Sequence, residues 1–240
     1  MKLKPLLLCH LLIALLISSF FWPATRTYWD ALDLAFFHFF NDPLRDSKFL
    51  QIFWAFANHK WADWIEDLFI LVFFVACVKS TPQIFKKRKI AELAFCVLYI
   101  ALIIFFVNRL FFREYIEIFR DSPSLVVDGS VRLSNELTWL SIKDKSPKCF
   151  PADHATTAIL FAASFSYFAS RRLGILACLY AFFLCLPRIV VGAHWLSDAL
   201  VGSGTIVLFL LSWALCTPLH KWIIDGFEKC FSLFRARDIV

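Results

Sequence analysis

Six apolar segments, separated by short polar stretches, limit what this chain can fold into. A helix that crosses a bilayer needs about 20 mostly apolar residues. The sequence is 60% hydrophobic and 18% charged, whereas a soluble protein has about 45–50% apolar residues. We therefore predict an all-α integral membrane protein in which residues 1–240 form one domain. The six predicted transmembrane helices cover residues 5–22, 64–78, 92–112, 155–169, 173–187 and 196–216.

The distribution of Lys and Arg predicts the orientation of these helices, because short cytoplasmic loops collect basic residues. Both termini and the loops at 79–91 and 170–172 are basic, and an even number of spans places all of them on one side. We therefore expect a cytoplasmic tail at 217–240 and outer loops at 23–63, 113–154 and 188–195. The inner basic residues are Lys2, Lys4, Lys79, Lys86, Lys87, Arg88, Lys89, Arg171, Arg172, Lys221, Lys229, Arg235 and Arg237.

The charge and cysteine patterns exclude two other classes of protein. The net charge of +6 comes from short clusters between apolar runs, so we predict no nucleic-acid partner. The eight cysteines contain no CxxC pair, which argues against zinc ribbons and redox dithiols. Cys149 lies in a polar loop beside the candidate site described below, and we expect it to have no catalytic role.

The outer loops carry further signals. Residues 29–40 are rich in aromatic residues but too short to span a bilayer, which favours an interfacial helix on the outer leaflet. The loop at 113–154 contains Ser, Pro, Asp and Gly, as irregular segments do. A loop of this length is usually functional or disordered.

Chemically active residues gather at the outer ends of three predicted helices. Arg113 and Arg120 follow the third helix, His154 precedes the fourth, and Arg188, His194 and Asp198 flank the start of the sixth. Ionisable groups at this depth are costly unless they are paired or functional. A purely structural ion network is the alternative, and the additional presence of His154 and Arg120 disfavours it.

The spacing of this set indicates phosphoryl transfer without a metal or cofactor. Asp198 lies four residues after His194, where its carboxylate can accept the imidazole N–H and leave the other ring nitrogen as a nucleophile. His154 is suited to protonating a leaving oxygen, and the three arginines to binding phosphate oxygens. The arginines would repel a divalent cation, and no HExxH spacing occurs, which disfavours a metal site built from the histidines and aspartates.

These segments resemble the type 2 phosphatidic-acid phosphatase (PAP2) superfamily. Its three motifs are matched in order by Arg113-x6-Arg120-Asp121, Pro151-Ala152-Asp153-His154 and Pro187-Arg188-x5-His194-x3-Asp198. The resemblance implies a PAP2-like helical bundle with an outward-facing active site. It assigns His194 as nucleophile, Asp198 as its orienting partner, His154 as acid and base, and Arg113, Arg120 and Arg188 as phosphate-binding residues.

Three segments resemble one branch of the superfamily, in which Asp153 stands at the position of the family's Gly: Phe150-Pro151-Ala152-Asp153-His154, Leu186-Pro187-Arg188 and Gly192-Ala193-His194-Trp195. That branch transfers the terminal phosphate of undecaprenyl diphosphate to the 1-phosphate of lipid A in the bacterial inner membrane. The likeness implies these two lipid substrates, membrane lipids as partners, and a periplasmic site. Asp153, Ser122 and Lys143 are then candidate acceptor or substrate contacts. The sequence leaves the oligomeric state open.

Two other functions remain open at this stage. A phosphatase acting on undecaprenyl diphosphate or lipid A would keep the same site and use water as the acceptor. A lipid transporter or scaffold would use the arginines only to hold headgroups, and the His154, His194 and Asp198 spacing disfavours it.

Overall fold

The protein is mostly helical in the part described by the structure, a computed structural model that covers residues 1–116 and 118–237. An isolated bridge between Arg120 and Lys148 is the one strand-like pairing in these ranges. The α-helices are α1 (Leu3–Phe21), α2 (Pro23–Asn41), α3 (Lys48–Ala57), α4 (Lys60–Lys79), α5 (Lys86–Leu102), α6 (Pro123–Val126), α7 (Leu133–Glu136), α8 (Asp153–Phe168), α9 (Arg171–Val190), α10 (Gly204–Cys216) and α11 (Leu219–Arg237). A π-helical segment at Ile103–Ile116 extends α5, and a second one at Asp198–Ser203 precedes α10.

Each of the six predicted spans falls on a helix, and four helical segments of the described chain are long and apolar enough to cross a membrane. These four are Leu3–Phe21, Gln83–Ile116, Arg171–Val190 and Asp198–Cys216. The second and fourth predicted spans fall on α4, which carries several acidic residues near its start, and on α8, which has only 16 residues. The six-span topology therefore stays a prediction.

The segment at 23–63, which was predicted to be an outer loop, contains more helix than the aromatic stretch suggests. α2 begins at Pro23, because proline is well suited to the first turn of a helix, and it continues for 19 residues. Its buried face is formed by Asp33, Phe37 and Asn41, which are four residues apart. α3 was not predicted; Ser47 caps it by accepting a hydrogen bond from the Leu50 amide.

The segment between the third and fourth predicted spans is ordered by backbone pairing. The Arg120 amide donates to the Pro147 carbonyl at 3.1 Å, and the Cys149 amide donates to the Arg120 carbonyl at 3.0 Å. The Ser122 amide donates to the Ser146 carbonyl at 2.9 Å. The two ends of this long segment are therefore held side by side, next to the start of α8.

The bundle core lies around α8, whose small and aromatic residues are buried. Phe161 and Phe165 pack against Cys77, Leu93 and Ala177 from α4, α5 and α9. On the other side, Leu160 packs with Ile206 and Val207. This packing fixes α8, so that its first turn, with Asp153 and His154, is held against the ends of α9 and α10.

Candidate active site

A tight turn at the end of α9 places His194. Gly192 adopts φ +78°, and a Cβ at this position would lie 3.0 Å from Ser124 Cβ and 3.1 Å from the Phe37 ring. Glycine adopts this left-handed conformation without the steric cost that other residues have. The Ala193 and His194 amides then donate to the Arg188 carbonyl at 2.9 and 3.2 Å. The turn therefore brings His194 back over the last turn of α9.

The His194 ring is oriented by a backbone carbonyl. Its Nδ1 lies 2.7 Å from the Cys149 carbonyl oxygen and 3.5 Å from Asp198 Oδ2. A carbonyl can only accept a hydrogen bond, so Nδ1 carries the proton and Nε2 of the neutral ring keeps its lone pair. The predicted direct partner, Asp198, is thus the more distant acceptor, because Asp198 is occupied elsewhere.

Asp198 organises the start of the last helical segment. Its Oδ2 accepts a hydrogen bond from the Trp195 amide at 2.8 Å, and the Asp198 amide donates to the Trp195 carbonyl at 3.2 Å. This reciprocal pairing resembles a capping box. Oδ1 accepts from Arg120, and the carboxylate is fully buried. Asp198 therefore fixes the backbone immediately after His194.

Arg120 joins two buried carboxylates. Its Nη2 donates to Asp33 Oδ2 at 2.9 Å, and its Nη1 donates to Asp198 Oδ1 and, at 2.9 Å, to Ser197 Oγ. Burial and the charge of Asp198 act in opposite directions on the pKa of Arg120, and the result is a raised pKa. The sequence predicted a phosphate-binding residue here, and the structure shows a guanidinium whose terminal nitrogens already have carboxylate partners.

Arg188, His154 and His194 line one small cavity. The other residues that line it are Ala152, Ala155, Cys185, Ile189 and Ala199. Arg188 Nη1 donates to the backbone carbonyl of Asn58 at 3.0 Å and to its side-chain oxygen at 2.5 Å, and Nη2 lies 3.4 Å from Asp63. Asn58, in turn, donates to the Lys143 carbonyl at 3.2 Å. The structure therefore brings His154, Arg188 and His194 together, and the end of α3 supports Arg188.

The remaining predicted site residues occupy different positions. The side chain of Arg113 lies outside the described residues. Asp153, at the start of α8, accepts a hydrogen bond from Asn108 at 3.2 Å. Ser122 is fully buried and accepts from the Ser146 amide at 2.9 Å, so it stabilises the paired loop. Lys143 has an exposed side chain and contributes its carbonyl to Asn58.

Acidic residues of α4 form a second wall beside His154. Asp63, Glu66 and Asp67 line a cavity of about 230 Å³ with His154 and Thr157. Ligand atoms of Asp63, Glu66 and His154 all lie within 4.8 Å of one another, a geometry that could hold a metal ion. Arg188, which is 3.4 Å from Asp63, places a positive charge beside this group, and that charge opposes cation binding.

Sequence reasoning missed Asp33, Asn58 and the acidic wall. Asp33 had one signal: it lies four residues before Phe37, within the apolar face of the aromatic stretch. An Asp on such a face is costly unless it has partners. Asn58 and Asp63 had no comparable signal, because their contacts with Arg188 join residues that are more than 120 positions apart.

The Cys149 thiol is fully buried beside Asp198. Burial, followed by the negative charge of Asp198 and a hydrogen bond to it, holds the pKa of this thiol far above its usual range. A neutral thiol is a poor nucleophile. Cys149 therefore acts in the site through its backbone carbonyl.

Comparisons with known proteins identify lipid A-modifying enzymes as similar to this chain. The lipid A 1-diphosphate synthase of Escherichia coli (strain K12) is 29% identical over 232 residues, covering 95% of this chain and 94% of that protein. The lipid A 1-phosphatases of Rhizobium johnstonii and Rhizobium etli are 36% and 34% identical over 92 and 90 residues, about a third of each chain. No solved structure is significantly similar. Residues 123–223, which contain His154, Arg188, His194 and Asp198, match the PAP2 superfamily.

Proposed function

We propose that this protein transfers the terminal phosphate of undecaprenyl diphosphate to the 1-phosphate of lipid A, forming lipid A 1-diphosphate. The similarity to the E. coli lipid A 1-diphosphate synthase, which extends over nearly both chains, supports this choice of reaction. The observation that carries the chemistry is the His194 ring: its Nδ1 donates to the Cys149 carbonyl, which leaves Nε2 as a nucleophile beside His154 and Arg188.

The reaction has two displacements at one phosphorus atom. First, His194 Nε2 attacks the terminal phosphorus, an N–P bond forms, and the P–O bond to undecaprenyl phosphate breaks. His154 gives its proton to the departing oxygen. Second, an oxygen of lipid A 1-phosphate attacks the phosphohistidine and the N–P bond breaks. His154 takes up the proton of the attacking group, so that both histidines return to their starting states.

Arg188 is the arginine that fits best as the phosphate-binding residue. Its Nη1 is held by the neutral Asn58, and its Nη2 lies 3.4 Å from Asp63, a carboxylate that is 45% exposed. Its guanidinium is therefore less fully paired with carboxylates than that of Arg120, which lies between the buried Asp33 and Asp198. Developing charge on the phosphoryl oxygens is stabilised by such a preorganised donor.

The proposed location is the bacterial inner membrane, with both termini in the cytoplasm and the site on the periplasmic side. The basic inner segments support this orientation, and lipid A provides the acceptor in that membrane. Asp153 and Lys143 remain proposed contacts for the acceptor.

Lipid A or undecaprenyl-diphosphate phosphatase activity is the second candidate, and the similarity to the two Rhizobium lipid A 1-phosphatases favours it. The two reactions differ only in whether a phosphate oxygen or water attacks the phosphohistidine. The fate of the phosphate therefore distinguishes them.

The test follows the label from undecaprenyl diphosphate that is radiolabelled on its terminal phosphate. Purified protein in detergent receives this donor with and without lipid A. His194→Ala should abolish the reaction, and His38→Ala, at a half-exposed histidine of α2, should leave it unchanged. Label on lipid A supports the transferase. Free phosphate regardless of lipid A makes the protein a phosphatase, and absence of both products contradicts an enzymatic role on this donor.

A further inference from the structure

Asp33 of α2 is a buried carboxylate that lies outside all three PAP2 motifs. Its side chain is 2% exposed. Oδ1 accepts a hydrogen bond from the Ser197 amide at 2.8 Å, and Oδ2 accepts from Ser197 Oγ at 2.5 Å and from Arg120 Nη2 at 2.9 Å. Both oxygens therefore bind groups that themselves surround Asp198.

A continuous set of contacts connects Asp33 to the nucleophile. Asp33 binds Arg120 and Ser197, and Arg120 in turn donates hydrogen bonds to Ser197 and Asp198 at the start of the helical segment that leads into α10. Asp198 holds the Trp195 amide at 2.8 Å, and its Oδ2 lies 3.5 Å from His194 Nδ1. A change at Asp33 is thus transmitted to His194 through three contacts: Asp33 with Arg120, Arg120 with Asp198, and Asp198 with His194.

The charges of this set explain why Asp33 is needed. Arg120 has 16% of its side chain exposed, and Asp33 and Asp198 are almost fully buried. Burial raises the pKa of Asp33 above its usual value, and the hydrogen bonds from Ser197 and the charge of Arg120 offset only part of this rise. With Asp33 in place, Arg120 is held from two sides. Without it, the guanidinium would rest on Asp198 and Ser197 alone, and would move towards them.

We propose that Asp33 is a positioning residue for phosphoryl transfer, which acts by fixing Arg120 and Ser197 and, through them, the orientation of Asp198 and His194. α2 is then part of the active site as well as an element of the outer surface. The inference deepens the proposed function, since it assumes that His194 reacts with phosphorus. It does not depend on which lipid donates or accepts the phosphate.

The test variant is Asp33→Asn, which keeps the shape of the side chain but replaces one acceptor oxygen by an NH₂ donor. That donor faces Ser197 and Arg120, which also donate. The matched control is Asp30→Asn, at an exposed carboxylate three residues earlier on α2 that pairs with Arg26 at 2.8 Å. Ser197→Ala keeps all three charges, removes one hydroxyl, and covers the case in which Asp33→Asn does not fold.

The first readout separates binding from chemistry. We expect Asp33→Asn to slow formation of the phosphohistidine by about 10- to 100-fold, because a misplacement of about 1 Å can cost a factor of that order. The KM for undecaprenyl diphosphate should stay within about threefold, since a residue that only positions the nucleophile affects the transition state rather than binding of the donor. Ser197→Ala should show a smaller loss in the same step, and Asp30→Asn should match the unaltered protein.

The second readout does not need a known substrate. Orthovanadate resembles the five-coordinate phosphorus of the transition state, and such analogues bind more tightly than substrates when a site is correctly arranged. We expect the vanadate concentration that protects the protein against heat to rise by about tenfold in Asp33→Asn but not in Asp30→Asn.

The outcomes distinguish this inference from the proposed function. If undecaprenyl diphosphate does not react but vanadate protection is weakened in Asp33→Asn alone, the proposed donor is wrong and the positioning role stands. If Asp33→Asn only lowers the melting temperature, with phosphohistidine formation and vanadate protection equal to those of Asp30→Asn, Asp33 is purely structural. A raised KM with an unchanged rate of phosphohistidine formation would also overturn the positioning role.

Discussion

Replacing Gly192 by Ala tests the turn that places His194. Gly192 has φ +78°, and an L-residue pays about 1–2 kcal/mol in the left-handed region. The added methyl group would also lie 3.0 Å from Ser124 Cβ and 3.1 Å from both the Ser124 amide and the Phe37 ring. Overpacking of this kind costs about 1–3 kcal/mol. The two effects together predict a loss of about 2–5 kcal/mol of stability.

The same substitution at Gly226 provides the control, because no atom lies within 4 Å of a Cβ at that position of α11. Ala is favoured over Gly in a helix by about 1 kcal/mol, so Gly226→Ala should be neutral or slightly stabilising. Detergent-solubilised variants would be heated and the monodisperse fraction measured. For Gly192→Ala we expect a melting temperature lower by on the order of 10 °C and a reduced rate of phosphoryl transfer. Equal melting temperatures for the two variants would refute the reasoning.

Three further predictions concern buried groups around the site. Asn41 accepts a hydrogen bond from the Val131 amide and donates to the carbonyls of Val131 and Val190. Asn41→Ala should therefore lower the melting temperature clearly, at about 1–3 kcal/mol per unsatisfied group. The exposed Asn135→Ala should not lower it, and equal melting temperatures for the two variants would contradict this prediction. At about pH 9 the neutral, buried Cys149 should resist alkylation while the exposed Cys230 reacts, as peptide mass spectrometry can check. Cys149→Ser should retain activity because it keeps a donor towards Asp198, whereas an inactive Ser variant would give the thiol a role of its own.

The sequence was sufficient for the parts of the fold that depend on local pattern. The apolar runs predicted helices at all six positions, since a segment of about 20 apolar residues has few alternatives to a buried or membrane-spanning helix. The motif spacing also predicted that His154, Arg188 and His194 would share a site, and all three line one cavity. The length of α2 and the presence of α3 were harder to predict from the sequence, because aromatic and polar residues alternate there without a long apolar run.

The partners of the site residues were harder to predict than the residues themselves. His194 has its shortest contact with the Cys149 carbonyl, and a backbone group has no signature in the sequence. Arg120 contacts Asp33 across 87 positions and Asp198 across 78. Such contacts depend on how helices pack after they form, which neither hydrophobic periodicity nor motif spacing specifies.

The charge balance of the site follows from these partners and changes the interpretation of its arginines. Three arginines near two histidines suggest a strongly positive site that attracts phosphate. In the structure, Arg120 lies between two buried carboxylates, and a charge paired on both sides attracts a third anion weakly. Arg188 is held by the neutral amide of Asn58 and by a longer, 3.4 Å contact with the half-exposed Asp63, so it is less fully paired than Arg120 in the cavity shared by His154 and His194. The two arginines therefore have different physical roles: Arg188 favours phosphate binding, and Arg120 favours the arrangement of Asp33, Ser197 and Asp198 that orients the nucleophile.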